Sequence, residues 1–354
     1  MKKWPTYLFT LIIFISTACS KENEASYTPT PSPLNIPPLF ESLILSPVIP
    51  PNNPQTVEGI ALGKKLFFDP ILSVDNSLAC ANCHAPTLAF SDAERFSSGV
   101  NATLGDRNAM PLFNLAWNYD ELFFWDGKTF SLEHQAFAPV TDPLEMQNTW
   151  QTVEQHLQQH DEYPELFEKA FGTSKIDSVL VTKAIAQFER SLISANSKFD
   201  KYLLGEAQLT PEERNGFDVF MDENRGDCFH CHGSDKNPLW TDNAFHNNGL
   251  DEKFTDLGLG AITGDPADNS KFKTPSLRNL AFTAPYMHDG RFLTLEDVIN
   301  HYSEGLKHSA TIDPLMKKVA NGGVNLSDKD KADLKKFLLS LSDYEFVNNS
   351  ALNE

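Results

Sequence analysis

Four of the five cysteines in this 354-residue chain lie in two copies of one short motif. Residues 80–84 (C-A-N-C-H) and 228–232 (C-F-H-C-H) both have the pattern C-x-x-C-H, which is the attachment signature of c-type haem. Two thiols at this spacing can form thioethers with the two vinyl groups of one porphyrin, and the adjacent histidine can then bind the iron. The motifs predict two covalently bound haems, attached at Cys80, Cys83, Cys228 and Cys231 and ligated by His84 and His232.

Two other uses of paired cysteines remain open. Two C-x-x-C pairs could bind one zinc ion, although such pairs usually lie much closer together in the chain, and neither would need its histidine. A thioredoxin-like redox pair is expected within a βαβ unit, and neither motif has such a context.

The first nineteen residues have the features of a bacterial lipoprotein signal peptide. Two lysines precede a short apolar run at residues 7–15, and small residues at 16–18 lead to Cys19. The apolar run is too short for a stable membrane-spanning helix. We expect cleavage before Cys19 and lipidation of that residue, which would anchor an exported protein in the periplasm or at the outer membrane. Ordinary cleavage nearby is the alternative.

The rest of the chain divides by composition into a linker and two domains. Residues 20–56 are rich in proline, serine and asparagine, so they predict a tether without a regular helix. The remaining length suits two domains, which we place at 57–175, around the first haem motif, and at 176–345, around the second haem motif.

The chain is strongly acidic, with a formal net charge of −19. No basic patch is available to neutralise phosphates, so nucleic acid is not expected as a partner. The charge would attract a basic electron-donor protein, or it serves only to keep an exported protein soluble.

The two halves repeat one another beyond the haem motifs. The matching segments are 90–92 with 240–242, 110–116 with 274–281, 124–128 with 287–291 and 131–133 with 294–296. Trp125 and Pro139 have the same separation as His288 and Tyr302, so the repeat equates Pro139 with Tyr302. A proline side chain cannot ligate iron, whereas a phenol can. If this position faces the distal side of each iron, the first haem would be open to a small oxidant, and the second would be closed and suited to electron transfer.

The elements that must position these residues are mainly helices. Apolar residues recur at three- and four-residue steps in 176–204, residues 152–171 have helical periodicity interrupted at Pro164, and 328–341 are amphipathic. Residues 210–213 (T-P-E-E) form a capping box with proline at the first helical position. The prediction is a mainly α fold in which two haem domains are related by internal duplication.

With these motifs in view, the chain resembles the bacterial di-haem cytochrome c peroxidases and the MauG proteins over roughly residues 57–341. The resemblance is carried by the two haem motifs in order and by F-W-D-G-K at 124–128, P-L-E-M at 143–146, T-P-S-L-R-N-L at 274–280 and A-P-Y-M-H-D-G at 284–290. It implies two cytochrome-c-like helical domains with one calcium ion between them. It also implies that the C-terminal helix packs back on the first domain.

The resemblance further implies roles for individual residues. His84 would ligate the peroxidatic haem and His232 the electron-transfer haem, while Trp125 would lie between the haems and pass electrons or holes. The distal pocket of the first haem would comprise Gln135, Pro139 and Glu145, and the calcium ligands would be the Asn108 side chain and the carbonyl groups of Thr283 and Pro285. Calcium takes such oxygen ligands together with several waters.

Glu145 has the chemistry that peroxide cleavage needs, because a carboxylate can take a proton from the inner oxygen and return one to the leaving oxygen. Gln135 could hold peroxide or water through its amide group. Structural alternatives stay open: Trp125 could only fill the core, Glu145 could be a solvated surface acid, and Gln135 could only support the fold.

Two departures from the family pattern carry information. Many di-haem peroxidases have a distal histidine between the first haem motif and the tryptophan, but this chain has no histidine from 85 to 125, so we expect no reductive activation step. Many members also have methionine where this chain has Tyr302, and tyrosine there resembles the MauG type. A phenolate ligand would lower the reduction potential. Met287, His301 and Met316 remain alternative ligands.

The expected activity is reduction of hydrogen peroxide to water with electrons from a small cytochrome c or cupredoxin. The first alternative is a MauG-like oxidase that uses peroxide to oxidise residues of a partner protein, and the second is a plain electron carrier. Membrane contact is expected only through a lipid anchor, and a homodimer is compatible with the resemblance.

Overall fold

The computed structural model describes residues 1–4 and 27–353 of the chain. The predicted apolar run of the signal peptide and Cys19 therefore lie outside the described residues. Within the described ranges, no helix has the length and apolar character needed to cross a membrane.

The described chain is mainly helical, as predicted. In chain order the α-helices are α1 (Pro38–Leu43), α2 (Val57–Phe68), α3 (Cys80–Cys83), α4 (Leu132–Thr141), α5 (Trp150–Gln159), α6 (Tyr163–Phe171), α7 (Ser178–Ser191), α8 (Lys198–Leu203), α9 (Pro211–Met221), α10 (Phe229–His232), α11 (Leu259–Thr263), α12 (Leu295–Asn300), α13 (Asp328–Ser340) and α14 (Tyr344–Val347). A π-helical turn at His301–Gly305 continues α12. Two short strands, β1 (Phe245–His246) and β2 (Phe272–Lys273), pair antiparallel.

The first half is built on the packing of α2 against α7. Gly63 lets the two helices approach closely, because a Cβ atom at this position would lie 1.8 Å from the carbonyl oxygen of Ala184. Helices α4, α5 and α6 surround this pair. The core between them contains Leu66, Val140, Val153, Tyr163, Phe167, Val181 and Ile185.

The second half repeats this arrangement with α9 and α13. A Cβ atom at Gly216 would lie 2.0 Å from the carbonyl oxygen of Asp333, so glycine again permits the close helix contact. Helix α9 begins at Pro211 with the predicted capping box. The core of this half contains Phe199, Val219, Phe220, Trp240, Leu295, Phe337 and Leu341.

The segment that packs back on the first half is α14, and not α13 as the resemblance implied. Helix α13 packs on α9 in the second half, so the expectation that this helix packs back on the first domain is wrong. The return is made by α14, where Phe346 and Val347 are buried with Phe67, Phe90 and Phe188. Large aromatic side chains of the first half leave an apolar surface that the end of the chain covers.

The described part of the proline-rich segment packs on the body of the protein. Residues 38–43 form α1, so the expectation of no regular helix in 20–56 is wrong there, because Pro38 occupies the first helical turn, where no backbone N–H is needed. Phe40 is fully buried, and its ring lies edge-on to Trp117 with centroids 5.0 Å apart.

The predicted long helix over 176–204 is two helices, α7 and α8. Between them the chain leaves the helical path, and the backbone N–H groups of Ala195 and Asn196 donate to Asp343 Oδ2 at 3.0 and 2.9 Å. The interruption predicted at Pro164 is confirmed, because this proline lies in the first turn of α6.

Candidate functional site

The first haem motif borders a largely apolar cavity of about 260 Å³. Cys80, Cys83 and His84 come from α3 and the residue after it, and other walls are formed by α4, α7 and the segment 105–115. Apolar side chains dominate the lining, among them Phe67, Leu72, Met110, Leu112, Val140, Met146 and Ile185. A flat hydrophobic group attached at the two thiols would be shielded from water here.

The His84 ring is oriented by the chain that follows the motif. Phe90 adopts a left-handed backbone conformation with φ of 58°, and its carbonyl oxygen lies 3.0 Å from His84 Nδ1. A proton on Nδ1 donates to this carbonyl, which leaves the Nε2 lone pair for a metal. Burial lowers the pKa of His84, and a neutral ring is the form that ligates metal.

Three predicted distal residues border the same cavity. Gln135 and Pro139 lie on α4, which begins where the Ser131 side chain caps it, and Glu145 lies on the turn that follows. Gln135 Oε1 is buried and has no hydrogen-bond partner among the described residues. Burial, with the nearby charge of Asp142, raises the pKa of Glu145 to about 7. Glu145 is half-buried at the border of the cavity.

The second haem motif borders a cavity of similar size, about 230 Å³. Cys228, Cys231 and His232 line it, and burial lowers the pKa of His232 to about 4, although Asp242 and the Trp240 carbonyl act in the opposite direction. As with the first cavity, the lining is mostly apolar.

Tyr302 borders the second cavity from the π-helical turn after α12. Its hydroxyl oxygen accepts a hydrogen bond from Asn248 Nδ2 at 3.1 Å, and burial raises its pKa to about 12. Met287 and Met316 border the same cavity, whereas His301 does not and instead directs its Nε2 to the Asn248 carbonyl at 3.4 Å. The side chains that remain as alternatives to Tyr302 are the two methionines.

One wall is common to both cavities. It consists of Asn108, Pro111, Trp125, Lys273, Thr274, Pro275 and Ser276. The Trp125 indole is 7% exposed, and its Nε1 donates to the Asn108 carbonyl at 2.8 Å. Asn108 N in turn donates to the His288 carbonyl at 2.7 Å, so the indole is held between the two halves.

The three predicted calcium ligands lie around the second cavity. Asn108, Thr283 and Pro285 all border it. Asn108 Nδ2 donates to the Glu94 carbonyl at 3.2 Å, which leaves Oδ1 as the atom that could face a cation. The assignment of this group to calcium stays a prediction.

The local backbone of the two halves matches in the register of the sequence repeat. Left-handed conformations occur at paired positions: Asn114 with Asn279, Phe124 with Met287, and Gly127 with Gly290. An isolated β-bridge joins Phe123 to Thr129 in the first half and Tyr286 to Phe292 in the second. Pro139 and Tyr302 border the first and second cavity respectively, as their pairing in the sequence requires.

Two buried charged residues at the cavities escaped the sequence reasoning. Glu189 on α7 is 3% exposed and borders the first cavity, and its Oε2 has no partner among the described residues. Burial raises the pKa of Glu189 to about 8. Lys273 on β2 is 6% exposed. An available signal for Glu189 was its position four residues after Ile185, on the apolar face of α7.

These donor sets fit two c-type haems and do not fit the alternatives. The cysteine pairs border separate cavities, and in the described chain the only cluster of metal-ligating side chains, Cys231 with Asp242 and His246, contains just one of them, which argues against a four-cysteine zinc site. Burial raises the pKa of Cys83 to about 11, opposite to the shift of a reactive redox thiolate. Paired thiols, a neutral histidine and an apolar cavity are what a covalently bound porphyrin requires.

Comparison with known proteins agrees with this chemistry. The family model described as "Di-haem cytochrome c peroxidase" matches residues 57–208. The chain is 37% identical over 296 residues to the methylamine utilization protein MauG of Methylophilus methylotrophus, covering 82% of this chain and 84% of that protein. It is 34% identical over 251 residues to the cytochrome c551 peroxidase of Nitrosomonas europaea, covering 70% and 73%.

A solved structure shows the same fold. The structure of a MauG-like protein associated with microbial copper homeostasis is similar with a TM-score of 0.81 and 33% identity, covering 90% of this chain and 98% of that one. Relatives of both the peroxidase and the MauG kind thus align over most of the chain.

Proposed function

The chain belongs to the family of di-haem cytochrome c peroxidases and MauG proteins, and we propose that it reduces hydrogen peroxide to water with electrons from a small redox protein. Family membership implies two haem c groups and an oxidoreductase activity toward peroxide. The roles of individual residues and the kind of electron donor are part of the proposal.

The observation that carries this proposal is the grouping of Gln135, Pro139 and Glu145 around the cavity of the first haem motif. When bound, a haem in this cavity would supply the redox chemistry that reduces peroxide. Pro139 has no side-chain atom that could ligate a metal, so the part of the cavity that it borders could admit a small molecule. The side-chain carbonyl oxygen of Gln135 is buried and has no partner in the part of the chain that the structure describes, so it is available to accept a hydrogen bond from that molecule.

Glu145 moves the proton in this scheme. With a pKa near 7, its carboxylate can take a proton from the inner oxygen of hydrogen peroxide and give it to the outer oxygen as the O–O bond breaks. Two electrons from the donor and two protons balance the conversion of one peroxide to two waters. The partly buried position of Glu145 supports this role, because a group with a pKa near the working pH is effective in both directions.

Trp125 is proposed to carry electrons between the cavities. It borders both, and its indole is buried and hydrogen-bonded. His84 and His232 would ligate the two irons through their Nε2 atoms, and Tyr302 would be the second ligand of the iron in the second cavity. Asn108, Thr283 and Pro285 would bind one calcium ion beside that cavity.

The proposal extends to the organisation of the chain. We propose that residues 57–175 and 176–345 are two copies of one ancestral haem domain, which the matched left-handed positions and β-bridges of the two halves support. The protein is proposed to be exported and anchored by a lipid at Cys19.

A second candidate function is the MauG-like oxidation of a partner protein by peroxide. The specific observation in its favour is Tyr302, whose hydroxyl borders the second cavity at the position that the repeat equates with Pro139. A phenolate ligand would lower the potential of that haem and make it a poorer acceptor from ordinary donors.

The deciding experiment mixes the fully oxidised holoprotein with one equivalent of hydrogen peroxide and follows optical and EPR spectra. We expect a high-spin signal beforehand and a rapid reaction without prior reduction. If no reaction occurs until the protein is reduced, the proposal that the first haem is open to peroxide in the oxidised protein is wrong. Adding a reduced small cytochrome c should then return the peroxide-oxidised protein to its starting state. If the oxidised product persists in the presence of this donor, oxidation of a partner protein would be favoured.

A matched pair of variants tests the relay. Trp125→Phe should slow the consumption of oxidising equivalents by the reduced cytochrome while leaving the initial peroxide reaction intact. Trp150→Phe is the control, because Trp150 is also buried in the first half but borders neither cavity. Equal behaviour of the two variants would remove Trp125 from the relay.

A further inference from the structure

Lys273 is a buried cation that makes no ion pair with any carboxylate of the described residues. Within the described residues, two arginines are also buried: Arg190, which pairs with Glu133 at 2.8 Å, and Arg278, which pairs with Asp200 at 2.7 Å. Lys273 Nζ instead donates to the Asn243 carbonyl at 2.9 Å and lies 3.4 Å from Asn118 Oδ1.

Such a group is costly to bury alone. Moving an ammonium group out of water costs several kcal/mol unless an anion compensates it, and neutral oxygens compensate it only in part. Burial lowers the pKa of Lys273 to about 8, even though Asp120 and Asp242 act in the opposite direction. The contacts of Lys273 Nζ within the described residues are neutral oxygens, so an anion placed beside it would stabilise the ammonium form.

The location of Lys273 indicates the source of that anion. The residue belongs to the wall that both cavities share, whereas each pair of attachment cysteines borders only its own cavity. A porphyrin carries its vinyl groups on one edge and its two propionates on the opposite edge. A haem attached through its vinyl groups at the cysteines thus directs its propionates away from them.

We propose that the Lys273 ammonium is the counter-ion of a haem propionate at the wall between the two cavities. The same residue holds Trp125, because Lys273 N donates to the Trp125 carbonyl at 2.9 Å. The cation thus lies at the junction of both haems and the tryptophan. This inference rests on haem attachment in both cavities and not on the reaction with peroxide.

The test measures the reduction potentials of both haems by spectroelectrochemical titration of the holoprotein. Lys273→Gln keeps a hydrogen-bond donor but removes the charge. A nearby cation favours the reduced haem, so its loss should shift the reduced-to-oxidised ratio of at least one haem about tenfold toward the oxidised form, which is about 59 mV for one electron. Lys273→Arg keeps the charge and should leave both potentials near the wild-type values.

The matched control is Lys271→Gln. Lys271 lies two residues earlier and its Nζ pairs with Asp268 Oδ1 at 3.0 Å outside the shared wall, so both potentials should stay unchanged. Unchanged potentials in a fully haem-loaded Lys273→Gln protein would overturn the proposal. Equal shifts in the Gln and Arg variants would also overturn it, because charge would then not be the cause.

The wild-type holoprotein supplies a measurement that depends on no variant. Resonance Raman spectra should show a propionate bending band that shifts when the protein is transferred to D₂O, since exchange of the ammonium protons alters its hydrogen bond. Absence of that shift would contradict the pairing. Potentials that change on addition of phosphate or acetate would show that a free anion fills the site instead of the haem carboxylate.

Discussion

The proposed proton transfer by Glu145 predicts a particular pH dependence of peroxide reduction. The carboxylate must be ionised to accept a proton, and burial holds its pKa at about 7. The rate constant kcat/KM for peroxide should therefore rise about tenfold per pH unit below pH 7 and level off above it, so that it is about 100-fold lower at pH 5 than at its plateau. A carboxyl with an ordinary pKa would lose only a small part of its activity at pH 5.

Two neighbouring charges allow this assignment to be tested by shifting the profile. Asp142 raises the pKa of Glu145, so Asp142→Asn should move the acid limb to lower pH, and Lys128→Met should move it to higher pH, because Lys128 acts in the opposite direction. Each shift should be about one unit or less, as expected for a charge near the surface. Glu145→Gln should lower kcat/KM at its high-pH plateau by about 10²–10⁴-fold and should abolish the fall in kcat/KM below pH 7.

The assay is stopped-flow reaction of the oxidised holoprotein with peroxide between pH 5 and 9, with haem spectra recorded for every variant. An acid limb near pH 4.5, or one that Asp142→Asn and Lys128→Met leave in place, would refute the reasoning. So would a Glu145→Gln protein with intact spectra and wild-type rates.

Three further predictions concern ligation and stability. Tyr302→Phe should turn the second haem high-spin in optical and EPR spectra, and an unchanged spectrum would leave Met287 or Met316 as the ligand. Glu189 has a folded pKa of about 8, above the ordinary value of 4.5, so its contribution to stability is full below pH 4.5 and is lost as the pH rises through 8. Glu189→Gln should therefore raise the free energy of unfolding more at pH 8.5 than at pH 5, and the difference should be on the order of 3–5 kcal/mol at most. An equal effect at both pH values would contradict this. Phe40→Ala should cost about 3–5 kcal/mol in chemical denaturation, whereas Leu45→Ala, at an exposed position of the same segment, should change little.

The chemistry of the cavities could be predicted well from the sequence because it is local. Two thiols and a histidine within five residues specify haem attachment by spacing alone, and the repeat then places Pro139 and Tyr302 at matching positions. Both side chains border the cavities to which this reasoning assigned them.

The parts that failed depend on contacts between distant segments. Proline disfavours helices, which is why the sequence predicts a tether over residues 20–56, yet α1 forms at 38–43 because Phe40 is buried against Trp117. Likewise, helix α13 packs against α9 at Gly216 and not against the first domain. Glu189 and Lys273 were missed because only the fold brings these isolated charges to the cavities.

Phe346 and Val347 cover an aromatic surface of the first half, and this contact opposes hinge motion between the two halves. The segment around Phe40 contacts both halves, since Phe40 is buried with Trp117 and Leu239. Asp343, near the end of the chain, accepts hydrogen bonds from the break between α7 and α8. Hinge bending between the halves would expose that aromatic surface to water. The contacts between the halves favour a constant separation of the two cavities, so the proposed electron transfer between them should be insensitive to solvent viscosity.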